Sequence, residues 1–390
     1  MGVPGKPAVA DSVSIRGDSV EAFEEATASI KEQIGGSPDV VLAFFSPHHR
    51  DHAGKLLEVI QRDLTPDAIT GSSMSGVIGG GREHQAGPGV SLWAARLPGA
   101  RLQTFCLELD AEGSRIGGWP EIPESASAVM LVEPFTFPLE PFFESLRQMP
   151  DLPTMLGGIA SGADRAGENI LLHDDTLVKN GAVGFALDGG YRFETVLAKG
   201  CRPVGPEFLV TRSEGNVVYE LGGRSAYGEL SEVLIAIGEE ERNRFMRAPH
   251  IGIQPLESTS GESGSDSLIR GVMGVDPDVG AIAVSDTVTE GEMLQFQSRD
   301  REYAHEQMES ALKLAGSFDP EVLGALIFDC TARGINLFQR ADHDIELLHK
   351  LWPDLPAAGC FAAGEIGPVC GLPYIHGLSA SVGLLVPSEE

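Results

Sequence analysis

Basic residues are scarce in this chain. Only 28 lysines and arginines stand against 57 aspartates and glutamates among 390 residues, a formal charge of −29. A surface this acidic repels phosphate backbones and anionic headgroups, so nucleic acid and membranes are not expected partners. Cysteines are also few. Cys106, Cys201, Cys330, Cys360 and Cys370 are odd in number, irregularly spaced and without a CxxC pair, which does not suggest a disulfide framework. No apolar run approaches the length of a bilayer span, and the N-terminal stretch has no apolar core of the secretory type. These absences point to the cytoplasm.

Chemical signatures are missing too. Gly76, Gly162 and Gly364 end Gly-x4-Gly stretches, but the next residues are Val77, Ala163 and Glu365 rather than the Lys-Ser/Thr of a P-loop. There is no G-x-S-x-G elbow. HExxH is absent, since His305-Glu306 is followed by Glu309. His48, His49 and His52 could offer imidazoles, yet no carboxylate or thiol set completes a site, and the stretch reads as a solvated helix start. No metal and no cofactor is expected.

What is present is a globular composition, 42% hydrophobic and 22% charged, in a chain long enough for two domains. Three apolar runs of strand length, 40–46, 128–134 and 325–330, are each followed by a plausible helix: His52–Asp63, Leu139–Gln148 and His343–Trp352. Each helix leads to a second short segment with the Gly-x4-Gly pattern: Gly71–Gly76, Gly157–Gly162 and Gly359–Gly364. A further strand follows at 89–95, 181–187 and 377–386. The order implies an internal repeat, with a degenerate fourth copy around Leu268–Val284. The expected fold is α/β (mixed α+β), built from repeated β-α-β plus hairpin units that form mixed sheets covered by helices, in two domains.

The expected boundaries are an N-terminal extension over 1–37 with one helix (Ser19–Ile34), a domain of two repeated units over 38–224, and a second domain over 225–390. The stretch 210–226 reads as a hairpin with a Glu-Gly turn, followed by a helix from Ala226 to Ile237. Asp110–Ser127 and Ser258–Ser267 read as loops.

The glycines after each second strand permit either close backbone packing or amides aimed at a ligand. Loops after strands are where open α/β sheets bind ligands. That makes Gly71, Ser72, Ser73, Ser75, Gly76, Ser161, Gly162 and Gly364 candidate ligand contacts, with Glu83 in the loop after the first. In the C-terminal part Cys330 ends a buried strand and Arg333 lies just after it, Glu365 follows the third glycine loop, and His376 lies further on. Arg333 offers a fork for a carboxylate and Glu365 an acceptor for an ammonium group, which together suit an amino acid. The alternative is a mutual Arg333–Glu365 ion pair that braces the fold. A pocket between the two domains, formed by loops 71–76, 157–162, 330–334 and 364–367, is the expected site.

The phrases FFSPHH, ITGSSMSGVIGGG, LGGIASG, GAVGFAL, KGCRPVG and VTRSEGNVVYEL, in that order, resemble the N-terminal domain of the FIST family. LIRGVMGVDPDVGAIAV, LIFDCTARGINLF and GCFAAGEIGPV resemble its C-terminal domain. The resemblance covers about residues 40–370. It implies a small-ligand-binding sensory protein of signal transduction, of the stand-alone bacterial type, with an amino acid or related metabolite as ligand and a separate signalling protein as partner. No catalytic residue is expected. The competing reading is a hydrolase or transferase acting on an amino-acid derivative through Cys330 or a glycine-loop serine.

Overall fold

A computed structural model describes residues 6–388, except 111, 114, 257–266 and 318–320. Residues 258–266 of the expected second loop therefore lie outside the described residues. The chain forms two compact units, one of residues 1–198, 308–375 and 379–390, the other of 199–307 and 376–378. This division does not follow the expected boundary at 224/225. The reason is that strand pairings tie the C-terminal third to the N-terminal half.

In the first unit the three apolar runs become the strands Val40–Phe45, Ser127–Val132 and Gly324–Cys330. Each pairs in parallel with the strand after its helix: Ala68–Ser73, Thr154–Ile159 and Ala357–Ala362. On its other side each takes an antiparallel strand: Val90–Arg96, Ala182–Asp188 and Ser379–Pro387. Period-2 alternation explains the layering. Val40, Leu42 and Phe44, with Val129, Leu131, Leu326 and Phe328, join one central core. Val41, Ala43 and Phe45 face helices Ser19–Ile34 and Ala53–Leu64 instead. Ala325 and Ile327 likewise pack with Ile345 and Leu348 of helix His343–Leu351.

The short hairpins between these strands do not stay in their own sheets. Val77–Gly79, hairpinned to Arg82–His84, adds to Ala357–Ala362 through Gly359↔Ile78 and Cys360↔Val77. Leu171–His173, hairpinned to Thr176–Val178, adds to Ala68–Ser73. Glu365–Val369, with Leu372–His376 beside it, adds to Thr154–Ile159. The first segment thus gives to the third, the third to the second, and the second to the first.

The expected N-terminal extension packs into the first unit, where Ala8–Ser14 pairs along its length with Val90–Arg96 and the helix Ser19–Ile34 buries Phe23, Ile30 and Ile34. One expectation is corrected here: 268–284 does not repeat the β-α-β connectivity. Leu268–Asp276 and Ala281–Val284 are adjacent antiparallel strands of the second unit. There the long strand Cys201–Glu214 pairs with both Met293–Arg299 and Val217–Leu221, so the antiparallel pairings run in a closed circuit around Val204, Ile251, Leu294 and Phe296. His49 also departs from a solvated helix start. It is fully buried in a 3-10 turn, 2.9 Å from the Ser19 hydroxyl.

Candidate functional site

The three glycine loops meet within the first unit. The Ser75 amide donates to Ser161 Oγ at 2.9 Å, and Ser161 Oγ donates to the Phe361 carbonyl at 2.5 Å. The Phe361 amide returns a bond to the Gly76 carbonyl at 3.0 Å, and the Ile159 amide bonds to Gly364 O at 2.9 Å. The loops therefore converge by packing against one another. The first glycine of each has a steric reason. A Cβ on Gly71, Gly157 or Gly359 would strike the carbonyl of Ala43, Met130 or Ile327, its partner in the neighbouring parallel strand. Gly162 lies against Ser73, leaving 2.9 Å for a side chain. The serine hydroxyls are spent locally: Ser72 Oγ on the Ser73 carbonyl, and Ser73 Oγ on the Ile170 amide and Asn169. Loops 71–76, 157–162, 330–334 and 364–367 all belong to the first unit, so they do not face one another across two domains. His376 is assigned to the second unit.

The C-terminal candidates build something different. Alternation along Gly324–Cys330 turns Asp329 to the side of Ala325 and Ile327, beneath the start of helix His343–Leu351. There it meets Arg333, Asp344 and Glu83. Arg333, Asp329, Asp344 and Glu365 are fully buried, and Glu83 is 5% exposed. Arg333 clasps Asp344 with its fork, Nε to Oδ2 at 2.8 Å and Nη2 to Oδ1 at 2.9 Å, and stands 4.0 Å from Asp329. The partner of Arg333 is thus Asp344 rather than Glu365. Glu365 Oε2 instead accepts from the Ser379 amide at 3.1 Å and hydroxyl at 2.5 Å.

Glu83 arrives on the exchanged hairpin and serves as a remote helix cap. Helix His343–Leu351 has no side-chain bond from its own N-cap, Asp342. Glu83 Oε1 supplies it, accepting from the amides of Asp344 at 2.6 Å and Ile345 at 3.0 Å, while Asp342 Oδ1 accepts from the Glu83 amide at 2.7 Å. His343 stacks on Phe338 at 3.4 Å and contacts Asp344 Oδ1 through Nδ1 at 2.9 Å. Gln85 bridges to the Arg333 carbonyl and the Ile335 amide.

Several polar atoms in this interior have no hydrogen-bond partner among the described residues: both oxygens of Asp329, Glu83 Oε2, Glu365 Oε1 and Arg333 Nη1. Burial, reinforced by the negative charge of Asp344, holds the Asp329 carboxyl far above the ordinary range, against the pull of Arg333. Burial and Asp344 push Glu83 up to about 7. Burial pushes Glu365 up to about 8, although Ser379 and the Cys330 thiol both favour its ionised form. Asp344 goes the other way, because Arg333 and His343 together outweigh its burial. The result is one firm ion pair ringed by carboxyls that ionise with difficulty. Cys330, 6% exposed, lies beside Glu365, and a carboxyl neighbour is not the cationic setting that activates a thiolate.

Asp329 and Asp344 were not among the sequence candidates. The signal for Asp329 was an acid inside a run otherwise fit for a core strand. Asp344 was hidden by resembling an ordinary first-turn helix acid. A second feature, an open groove of about 390 Å³, is lined by Arg101, Gln103, Glu121, Pro123 and Asp188. Its arginine is exposed and already paired with Asp188.

The FIST N domain matches residues 39–224 and the FIST C domain residues 226–368. An uncharacterized protein of Mycobacterium tuberculosis is 35% identical over 382 residues, covering 96% of this chain and 98% of the relative. An uncharacterized protein of Mycobacterium bovis is 32% identical over 381 residues, covering 96% of this chain and 97% of the relative. The chain belongs to the FIST family, whose domains are associated with sensory functions in signal transduction.

Proposed function

We propose that this FIST protein is an intracellular sensor that binds a small polar ligand at the Glu83–Asp329–Arg333–Asp344–Glu365 cluster and releases it unaltered. One observation carries the reading. Five ionisable side chains from distant stretches of sequence are gathered in the interior with polar atoms left unpartnered. Burying such groups costs stability that an apolar core would not. Groups perturbed this strongly collect at functional sites. No helix among the described residues is long and apolar enough to cross a membrane.

An amino acid or related metabolite is the ligand class to test first. Its carboxylate would take the fork of Arg333 and its ammonium group Glu365 or Glu83. Because that fork is held by Asp344, binding has to displace a residue in the first turn of helix His343–Leu351. Ligand binding would thereby be coupled to movement of a helix, and differential affinity for two positions of one element is what a sensor requires.

The test is a thermal-shift and calorimetric screen of the purified chain against amino acids and common metabolites, with mass spectrometry of the ligand after incubation. Saturable stabilisation that disappears in Arg333→Lys and Glu365→Gln, with the ligand recovered intact, is the expected outcome. Recovery of an altered ligand, with the alteration abolished in Cys330→Ser or Ser161→Ala, would replace the sensor with a hydrolase or transferase.

A further inference from the structure

Glu83, Asp329 and Asp344 each bring a carboxylate oxygen to one place, and the three oxygens lie within 4.8 Å of one another. We propose that these three carboxylates hold one hard divalent cation of the Mg²⁺, Mn²⁺ or Ca²⁺ type, an inference that rests on the reading above in locating function at this cluster. Oxygens within that limit need only small side-chain adjustments to stand about 2.0–2.6 Å from a single ion. The lone pairs are available. Among the described residues neither oxygen of Asp329, itself fully buried, has a hydrogen-bond partner, and Glu83 Oε2 has none either. Asp344 Oδ2 accepts one bond from Arg333 and keeps a second lone pair.

Charge points the same way. With the three carboxylates ionised, the single guanidinium of Arg333 leaves two negative charges in excess, which one divalent ion neutralises. The donors are all oxygen, so the site suits hard ions and not thiolate- or imidazole-seeking ones. Arg333 becomes a positioning residue, fixing the orientation of Asp344 as outer-shell partners of metal ligands do. The helix amides play the same part for Glu83, fixing its carboxylate through Oε1. The occupant that competes with a cation is a pair of protons on Asp329 and Glu83.

The experiment uses the full chain stripped with a chelator and titrated separately with MgCl₂, MnCl₂ and CaCl₂, followed by calorimetry and by the melting temperature. Expected is one saturable ion per chain with a raised melting temperature, weakened at least tenfold in both Asp329→Asn and Glu83→Gln. Asp329→Asn replaces a buried carboxyl, held protonated when no cation is bound, with a neutral amide of the same size, so its cation-free form is expected to melt close to the wild-type chain without cation. Folded variants that fail to bind then report lost ligands and not lost structure. Binding of several ions per chain, indifferent to both substitutions, is the signature of the acidic surface and overturns the proposal. So does the absence of binding by all three cations at millimolar concentration. A metabolite panel run on the same stripped protein separates the two readings. Cation silence with a metabolite shift that needs Arg333 removes the metal site and leaves the sensor, whereas silence to both removes both.

Discussion

Arg333 is the residue on which the interior of the first unit turns. It is a fully buried cation whose charge is met by Asp344 through two bonds and, at longer range, by Asp329. Removing one member of such a pair leaves the other charged and unsolvated. Arg333→Ala should cost on the order of 3–5 kcal/mol in a denaturant melt. A loss below about 1 kcal/mol would mean that Asp344 finds water or another donor. Asp300 makes a comparable point in the second unit. It caps helix Arg301–Ser317 by accepting from the Glu302 and Tyr303 amides at 3.0 Å, and it pairs with Arg202 and Arg244. Burial alone would raise its pKa, but the Tyr303 amide and the two guanidiniums hold it below the ordinary carboxylate value. Its folded pKa is the lower one, so the unfolded chain takes up the proton first. Its contribution is therefore complete above the unfolded value of about 4 and is lost as pH falls through the folded value. Acid titration of Asp300→Asn should show a flatter loss of stability below about pH 4 than the wild type.

At the scale of elements, the strands and helices were written in the residues. Helix Ser19–Ile34 has the bounds its sequence suggested, and the three apolar runs became strands within a residue or two. Local periodicity carries that information, because each element's buried face is defined by its own spacing. The partner of each hairpin was not legible. Val77–Gly79 reads as the continuation of its own segment, and nothing in its composition names Ala357–Ala362 as its neighbour. For the same reason the cluster was half visible. Arg333, Glu365 and Glu83 stood at loop positions that invite attention, while Asp329 and Asp344 gain their meaning only when the hairpin carries Glu83 across. The glycines were legible as positions needing close approach, but whether to a ligand or to a backbone was decided by packing. Gly359→Ala sets a Cβ against the Ile327 carbonyl and should cost about 1–3 kcal/mol. Gly17→Ala, with nothing within 4 Å, serves as the control and should stay within about 0.5 kcal/mol. Glu83→Ala removes the remote cap of helix His343–Leu351 and should cost about 1–2 kcal/mol. Faster amide exchange at Asp344 and Ile345 would locate that loss.

For the molecule as a whole, the two units differ in what they need from the rest of the chain. The second has its own closed circuit of strands and its own core. Residues 199–307 expressed alone should therefore melt cooperatively. Residues 1–224 span the FIST N match, yet they hold two of the three exchanging segments and lack the Ala357–Ala362 edge and the Glu365–Val369 strand. That fragment should show no cooperative transition by circular dichroism, and a sharp melt would refute the interdependence of the three segments. Adding 321–388 as a separate polypeptide should restore helical signal if the missing pieces are those strands.

The circular exchange of hairpins also has a consequence in time. Glu83 leaves the ribosome 261 residues ahead of Asp344, the amide it must cap. At ordinary elongation rates of about 5–20 residues per second, that is a wait of about 10–50 s. Throughout it the Val77–Gly79 strand has no sheet to join, and Glu83, on the Arg82–His84 strand hairpinned to it, stands in water. A nascent chain of this protein thus displays an unpaired strand edge until Ala357–Ala362 has emerged, and chaperone occupancy during translation is expected to fall only after that point.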